Sequence, residues 1–287
     1  MQQDSCSELQ GLCREKAKVV KDSVQGEVEV LQEDSVLGIA NSTGLHPGEV
    51  YTCAMKQGIW PVRYLRNTDS LSLKEQILLS ESGVAVVGAG GLGGFVLNFL
   101  ARLGVGYLLV VDRDVFEESN LNRQEFAFAN TMNRSKAEVG RESVHNINPG
   151  VQVEVAHADV TGEILNCSGI QVIVDALDNI ADRFFVQRMA RNLDVPFCHA
   201  AVSGFEGRLM TVFPEDPGLS LLYGEEEDVK EVEEVRDSLG VPVVSPALVA
   251  SLQAAEVVKI LLHRGSNFRK RMFYADLENA YTEMFSL

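Results

Sequence analysis

Cysteine is scarce in this chain and carries no pairing pattern: Cys6, Cys13, Cys53, Cys167 and Cys198 are five in number, and no two stand as CxxC. A scattered odd set excludes a disulfide framework and a four-thiolate metal knot, so no zinc is expected. Positive charge is scarce as well. Against 41 acidic residues there are 25 Lys and Arg, a net charge of -16 that repels phosphate backbones, and nucleic acid is excluded as a partner. Nothing approaches the ~18 uninterrupted apolar residues of a membrane span, and the opening MQQDSCSELQ has neither a basic leader nor an apolar stretch behind it. No membrane association and a cytoplasmic location are therefore expected.

What is present is an ordinary globular composition, 46% hydrophobic over 287 residues, enough for one ample domain with an appendage. The organisation changes near Arg63. Residues 1–62 read as short polar and helical segments, a small helical N-terminal extension. Within them GIANSTGLHPGEVYTCAMKQGIW suggests two short helices about a turn at Gly44 to Pro47. With little basic beyond Lys56, the pair suits docking or dimer packing better than reading DNA.

Residues 63–287 form the second unit, where strands alternate with helices from Ser70 onward. That pattern predicts an α/β fold: a Rossmann-like, mostly parallel sheet with helices on both faces and antiparallel strands at one edge. Strands are expected over 84–87, 107–111, 151–156, 171–175 and 197–201, helices over 95–103, 136–146 and 183–193, and an antiparallel edge strand over 209–213. Ser245 followed by Pro246 reads as a cap and first position of a helix to about Leu262. The tail MFYADLENAYTEMF reads as a hairpin turning at Glu278 and Asn279. The stretch at Glu225 to Asp237 holds eight acids and two bases, which suits a solvated loop or exposed helix.

The chemistry starts at Gly88, Gly90 and Gly93, a GxGxxG between a strand and a helix, where backbone amides can approach a phosphate. Asp112, roughly twenty residues on at the end of the next strand, can accept hydrogen bonds from ribose hydroxyls. A dinucleotide-dependent dehydrogenase would show the same pair. The downstream residues argue otherwise. DVFEESNLNRQ, Asp114 to Gln124, offers amides and an arginine, Lys136 opens a helix, and Asp178 follows a strand in DALDN. Strand ends in a parallel sheet share one edge, so Arg123, Lys136 and Asp178 can converge on a triphosphate, two cations neutralising charge and a carboxylate holding magnesium.

GAGGLG, VDRD at Val111 to Asp114, SNLNRQ at Ser119 to Gln124, Lys136, NPG at Asn148 to Gly150 and DALDN together resemble the ThiF/MoeB/HesA family, relatives of the ubiquitin-activating enzymes. The resemblance runs from about Arg63 to the C-terminus. It implies an adenylyltransferase that uses ATP and Mg2+ to adenylate the C-terminal glycine carboxylate of a small ubiquitin-like sulfur-carrier protein, in thiamin- or molybdopterin-type sulfur transfer. Residue by residue, it implies phosphate contact from the loop of Gly88, Gly90, Gly91 and Gly93, ribose binding by Asp112, nucleotide contacts from Asp114 and Asn120, phosphate contact from Arg123 and Lys136, and magnesium at Asp178. RYLRN at Arg63 to Asn67 is similar to a family motif whose second arginine, here Arg66, reaches the ATP of a partner protomer, which implies a homodimer.

The sequence also departs from that pattern. It lacks the two CxxC pairs that hold zinc in many members, and its crossover segment, about Pro214 to Val244, contains no cysteine for a thioester or persulfide. Cys198, in an apolar strand, reads as a buried structural thiol. Two other readings stand beside adenylation: an NAD-dependent oxidoreductase, resting on the glycine motif and Asp112 alone, and a nucleotide-binding module without turnover.

Overall fold

The computed structural model describes residues 2–22, 26–226 and 240–287. The N-terminal segment comprises α1 (Gln2–Lys16), β1 (Lys18–Asp22), β2 (Gly26–Leu31), α2 (Glu33–Thr43), α3 (Pro47–Lys56), β3 (Trp60–Pro61) and a 3₁₀ turn at Val62–Asn67. The two helices about the Gly44 turn form where the sequence placed them. The strands were not foreseen in an extension expected to be helical. Their signal is the alternation GEVEVL, which buries Val28 and Val30 and leaves Glu27 and Glu29 in solvent, the period of a half-buried strand. β1 and β2 pair antiparallel and β3 joins β2 in parallel.

The remainder runs α4 (Leu73–Ser80), β4 (Gly83–Val87), α5 (Gly93–Leu103), β5 (Tyr107–Val111), α6 (Lys136–Ile147), β6 (Gln152–Ala156), α7 (Gly162–Leu165), β7 (Ile170–Asp175), α8 (Ile180–Asn192), β8 (Phe197–Ser203), β9 (Glu206–Val212), α9 (Ser220–Tyr223), α10 (Val244–Leu261), β10 (Arg271–Asp276) and β11 (Tyr281–Ser286). The eight strands lie in the order β11-β10-β9-β8-β7-β4-β5-β6. β4 to β8 are parallel, and β9, β10 and β11 add antiparallel. The strand expected over 209–213 is thus antiparallel, but it is not the edge, because the C-terminal hairpin pairs onto it. Much of the acidic Glu225 to Asp237 stretch lies outside the described residues.

The central strands read as unbroken apolar runs because both of their faces are covered. Val84, Val86, Leu108, Val110, Val172 and Val174 face one core with α5, α6 and α10. Ala85, Val87, Leu109, Val111 and Ile173 face the other, with α8. α10 is long and apolar enough to cross a membrane by length and composition, and here it packs against α5, β8 and β9. Its start differs from the expected cap: the helix begins at Val244, and the Ser245 hydroxyl donates to the Gly204 carbonyl at 2.7 Å instead of capping.

The N-terminal segment is joined to the sheet domain through RYLRN and NPG. Arg63 donates to the Glu33 carboxylate, the Tyr51 hydroxyl and, at 3.1 Å, the Ile147 carbonyl. Asn148 is fully buried. Its Nδ2 donates to the Tyr64 hydroxyl and the Ala101 carbonyl, both at 2.8 Å, and its Oδ1 accepts the Gly150 N–H at 3.0 Å. Asn148→Ala strands these partners in a dry interior at a cost of about 3 kcal/mol. Thermal unfolding should show a melting temperature lower by roughly 6 °C; a value unchanged from the parent would contradict this role.

Candidate active site

β4 sits where the sheet changes direction, with β5 and β6 on one side and β7 and β8 on the other. At such a switch point the loops leaving the carboxyl ends of adjacent strands diverge and leave a crevice. Here the crevice is a cavity of about 660 Å³ lined by Gly88, Gly90, Gly91, Asp112, Asp114, Arg123, Gln124, Lys136 and Asp178, among others. It lies at the ends of the strands that the sequence motifs follow.

The glycines are there because backbone passes close to backbone. Gly88 has φ 96°, and a Cβ on it would stand 2.4 Å from the Ala176 carbonyl oxygen. Gly93 opens α5, and a Cβ there would stand 1.8 Å from the Gly88 carbonyl oxygen. Gly91 is different: its nearest neighbours would be at 3.8 Å, an ordinary contact. The loop is tied across the crevice by Asp112, whose Oδ2 accepts the Ala89 N–H at 2.6 Å and whose Oδ1 accepts the Asp114 N–H at 2.8 Å. Burial pushes the Asp112 carboxyl above the ordinary carboxylate range, against those two N–H bonds and the nearby Lys136 ammonium. The remaining lone pairs of a carboxylate so held can accept hydroxyl hydrogens.

Lys136 reaches the site because the loop after β5 folds back, with Val115 bridged antiparallel to Ser135. Ser135 then caps α6, accepting the Glu138 N–H. The largely buried Lys136 Nζ donates to Asp114 Oδ2 at 2.9 Å. Arg123 is half-buried, and its Nη1 donates to the Ser119 carbonyl and to Asn122 Oδ1, each at 2.9 Å, which aims the guanidinium from a short loop. Asp178 is exposed in the cavity. It does not cap α8. Asn179 does, its Oδ1 accepting the Asp182 N–H at 2.8 Å, so the Asp178 carboxylate is free of that duty. No cluster of three metal-ligating side chains occurs among the described residues. A single carboxylate in a phosphate-sized cavity still suits magnesium, which keeps several waters and takes its remaining oxygens from substrate phosphates.

Three expected site residues do not line the cavity. Gly93, the first residue of α5, packs against the Gly88 carbonyl instead. Asn120 is buried and does not line the cavity; its Oδ1 accepts the Glu117 N–H at 3.1 Å, and its carbonyl receives Arg123 and Gln124 N–H, so it shapes the loop that carries Arg123. Arg66 is exposed on the 3₁₀ turn and does not line the cavity of its own chain. Gln124 and Arg183 line the cavity without having been singled out. Gln124 is buried with its Oε1 unpaired, and its amide lies against Gly90. Its only signal was its place at the end of SNLNRQ. Arg183 gave none, because it depends on a contact between α8 and the loop after β7.

Cys198 is fully buried and does not line the cavity, and burial pushes its thiol pKa up. Such a thiol is a poor nucleophile. Iodoacetamide should label it only after unfolding, as read by mass spectrometry; labelling in the native protein at the rate of the half-buried Cys167 would contradict this. The glycine geometry yields a paired expectation. Gly91→Ala should leave ATP affinity within about two-fold of the parent, while Gly93→Ala should lower stability by at least about 2 kcal/mol and abolish measurable binding. Melting curves and calorimetry check both, and equal behaviour of the two variants would count against the loop's role.

Comparison with known proteins identifies the scaffold. The ThiF family profile matches residues 64–287. The SAMP-activating enzyme E1 of Haloferax volcanii is 36% identical over 218 residues, 75% of this chain and 80% of that protein. The sulfur carrier protein ThiS adenylyltransferase of Escherichia coli is 31% identical over 208 residues, 70% of this chain and 81% of that protein. In fold, the structure of E. coli MccB with AMPCPP and MccA superposes with a TM-score of 0.68 at 17% identity, covering 94% of this chain and 95% of that one. The oxidoreductase alternative is thereby corrected: its two supporting features, the glycine motif and Asp112, belong equally to an adenylating scaffold, and the named relatives are activating enzymes and adenylyltransferases. With its strand order, its motifs and these matches in agreement, the chain belongs to the ThiF family.

Proposed function

We propose that this protein adenylates the C-terminal glycine carboxylate of a small ubiquitin-like sulfur-carrier protein, consuming ATP and releasing pyrophosphate. The observation that carries the reading is the convergence of Gly88, Gly90, Asp112, Arg123, Lys136 and Asp178 on one cavity at the switch point of the sheet. The sulfur-carrier and activating-enzyme relatives supply the class of carboxylate.

The chemistry asks little of a general base, because a glycine carboxylate is already ionised at neutral pH. One carboxylate oxygen attacks the α-phosphorus, the bond from that phosphorus to the bridging β-oxygen breaks, and its electron pair leaves on pyrophosphate. The products are an acyl adenylate and pyrophosphate. Asp112 holds the ribose, and the glycine-loop amides hold the phosphates. Arg123 and Lys136 neutralise the charge that accumulates on the phosphate oxygens as the leaving group departs. Asp178 would hold magnesium, which supplies Lewis-acid neutralisation of the same oxygens. The ion pair with Asp114, at 2.9 Å, fixes where the Lys136 ammonium points.

In the same reading the active form is a homodimer in the cytoplasm, with the exposed Arg66 of each protomer reaching its partner's ATP. Residues 1–62 are an appendage, 63–287 the adenylating unit, and the start of the family match at residue 64 supports that division. The reading includes no structural zinc.

ATP–pyrophosphate exchange with small carriers ending in Gly-Gly tests the reading. Exchange should require the carrier and fall about 100-fold or more in Lys136→Ala and in Asp178→Asn. ATP binding with no exchange for any carrier would instead favour a nucleotide-binding module without turnover.

A further inference from the structure

Beneath the turn that carries Asp178 lies a polar ring, buried except for the half-buried Tyr223, that adenylation itself does not call for. Asp175, the last residue of β7, is fully buried; its Oδ1 accepts the Leu177 N–H at 3.0 Å, and its Oδ2 lies 2.6 Å from His199 Nδ1. His199 Nε2 lies 3.1 Å from the Tyr223 hydroxyl. Arg183 donates from Nη1 to that hydroxyl at 3.2 Å and from Nη2 to the Leu177 carbonyl at 2.5 Å. One assignment of hydrogens runs round the circuit: Arg183 donates to Tyr223, Tyr223 to His199 Nε2, and His199 Nδ1–H to Asp175, while Arg183 Nε makes no hydrogen bond and lies 3.6 Å from Asp175 Oδ2 as an ion pair. The circuit closes on Leu177, whose N–H and C=O are both held. Leu177 is the residue before Asp178.

A polar network in place of apolar packing, with directional hydrogen bonds and a buried ion pair, specifies one geometry where apolar contacts would allow several. That is what the neighbouring turn needs. Asp178 is exposed on a short loop between β7 and α8, and among the described residues no hydrogen bond anchors its own side chain. Its direction is set by the peptide that precedes it. Arg183 also lines the cavity, so the clamp is continuous with the site wall.

We propose that Arg183, His199 and Tyr223 are positioning residues for the Asp178 carboxylate, acting through the two-sided hold on Leu177. The inference rests on the reading that Asp178 holds the magnesium of bound ATP. Tyr223→Phe is the informative variant, since it keeps the ring that packs edge-on against Phe184 and removes only the hydroxyl from the circuit. Calorimetry with ATP in EDTA and with ATP plus magnesium separates the effects. Affinity in EDTA should stay within about two-fold of the parent, and the tightening that magnesium brings should shrink about ten-fold, the low end for groups that hold a metal ligand in place. In an Asp178→Asn background, Tyr223→Phe should change neither affinity by more than about two-fold, because the two act on one term. Arg183→Lys, which retains a charge but cannot span both partners, should behave like Tyr223→Phe. The inference is overturned if Tyr223→Phe keeps the full magnesium effect, or if it weakens ATP equally with and without magnesium, the mark of a merely structural role. If Asp178→Asn alone keeps the magnesium effect, the metal assignment fails and takes this inference with it. If the parent protein binds no ATP, the proposed function itself is what has failed.

Discussion

The site depends on one close approach, that of the loop after β4 to the loop after β7. A side chain at Gly88 would collide with the Ala176 carbonyl, and one at Gly93 with the Gly88 carbonyl. Without Cβ atoms at these two places, the start of α5 packs directly on the Gly88 carbonyl, and Gly88, Gly90 and Gly91 line the crevice that the strand order opens. Asp112 then fastens the glycine loop to the loop after β5, and the bridge from Val115 to Ser135 brings Lys136 over the same space. Each further group is positioned relative to that junction. The fold and the proposed phosphate cradle are in this sense one structure.

Charge is distributed to match. The chain is strongly acidic, yet Arg123 and Lys136 are placed in the crevice at the switch point of the sheet, where triphosphate oxygens would meet them. Lys136 is nearly buried and paired with Asp114, while Asp178 is exposed and excused from capping by Asn179. A buried cation fixed by an ion pair and an exposed carboxylate are complementary parts for a polyanion that arrives with a metal ion. The buried thiol of Cys198 belongs to packing rather than to this chemistry.

Much of this arrangement was legible in the sequence because it rests on local signals. Strands β4, β5 and β7 are continuous apolar runs, and the glycine motif sits at the strand-to-helix turn where its geometry is needed. Asp112 and Asp178 follow strand ends, so a parallel sheet brings them to one edge without further information. What escaped notice depends on partners distant in the chain. The β1–β2 pair was hidden by its shortness among helical segments, although Val28 and Val30 alternate with Glu27 and Glu29. β9 looked like an edge because the hairpin of β10 and β11 returns to it from some sixty residues away. Ser245 resembled a cap, but its hydroxyl found the Gly204 carbonyl. Asn120 stood inside a site motif yet serves to bend the loop that presents Arg123.

The most direct test of the central claim is a crystal structure with a non-hydrolysable ATP analogue and magnesium. The account expects the triphosphate to lie between the Gly88 to Gly93 loop and the side chains of Arg123 and Lys136, the ribose hydroxyls on Asp112, and the metal ion on Asp178. Density for the nucleotide elsewhere, or phosphates turned away from those two cations, would contradict it.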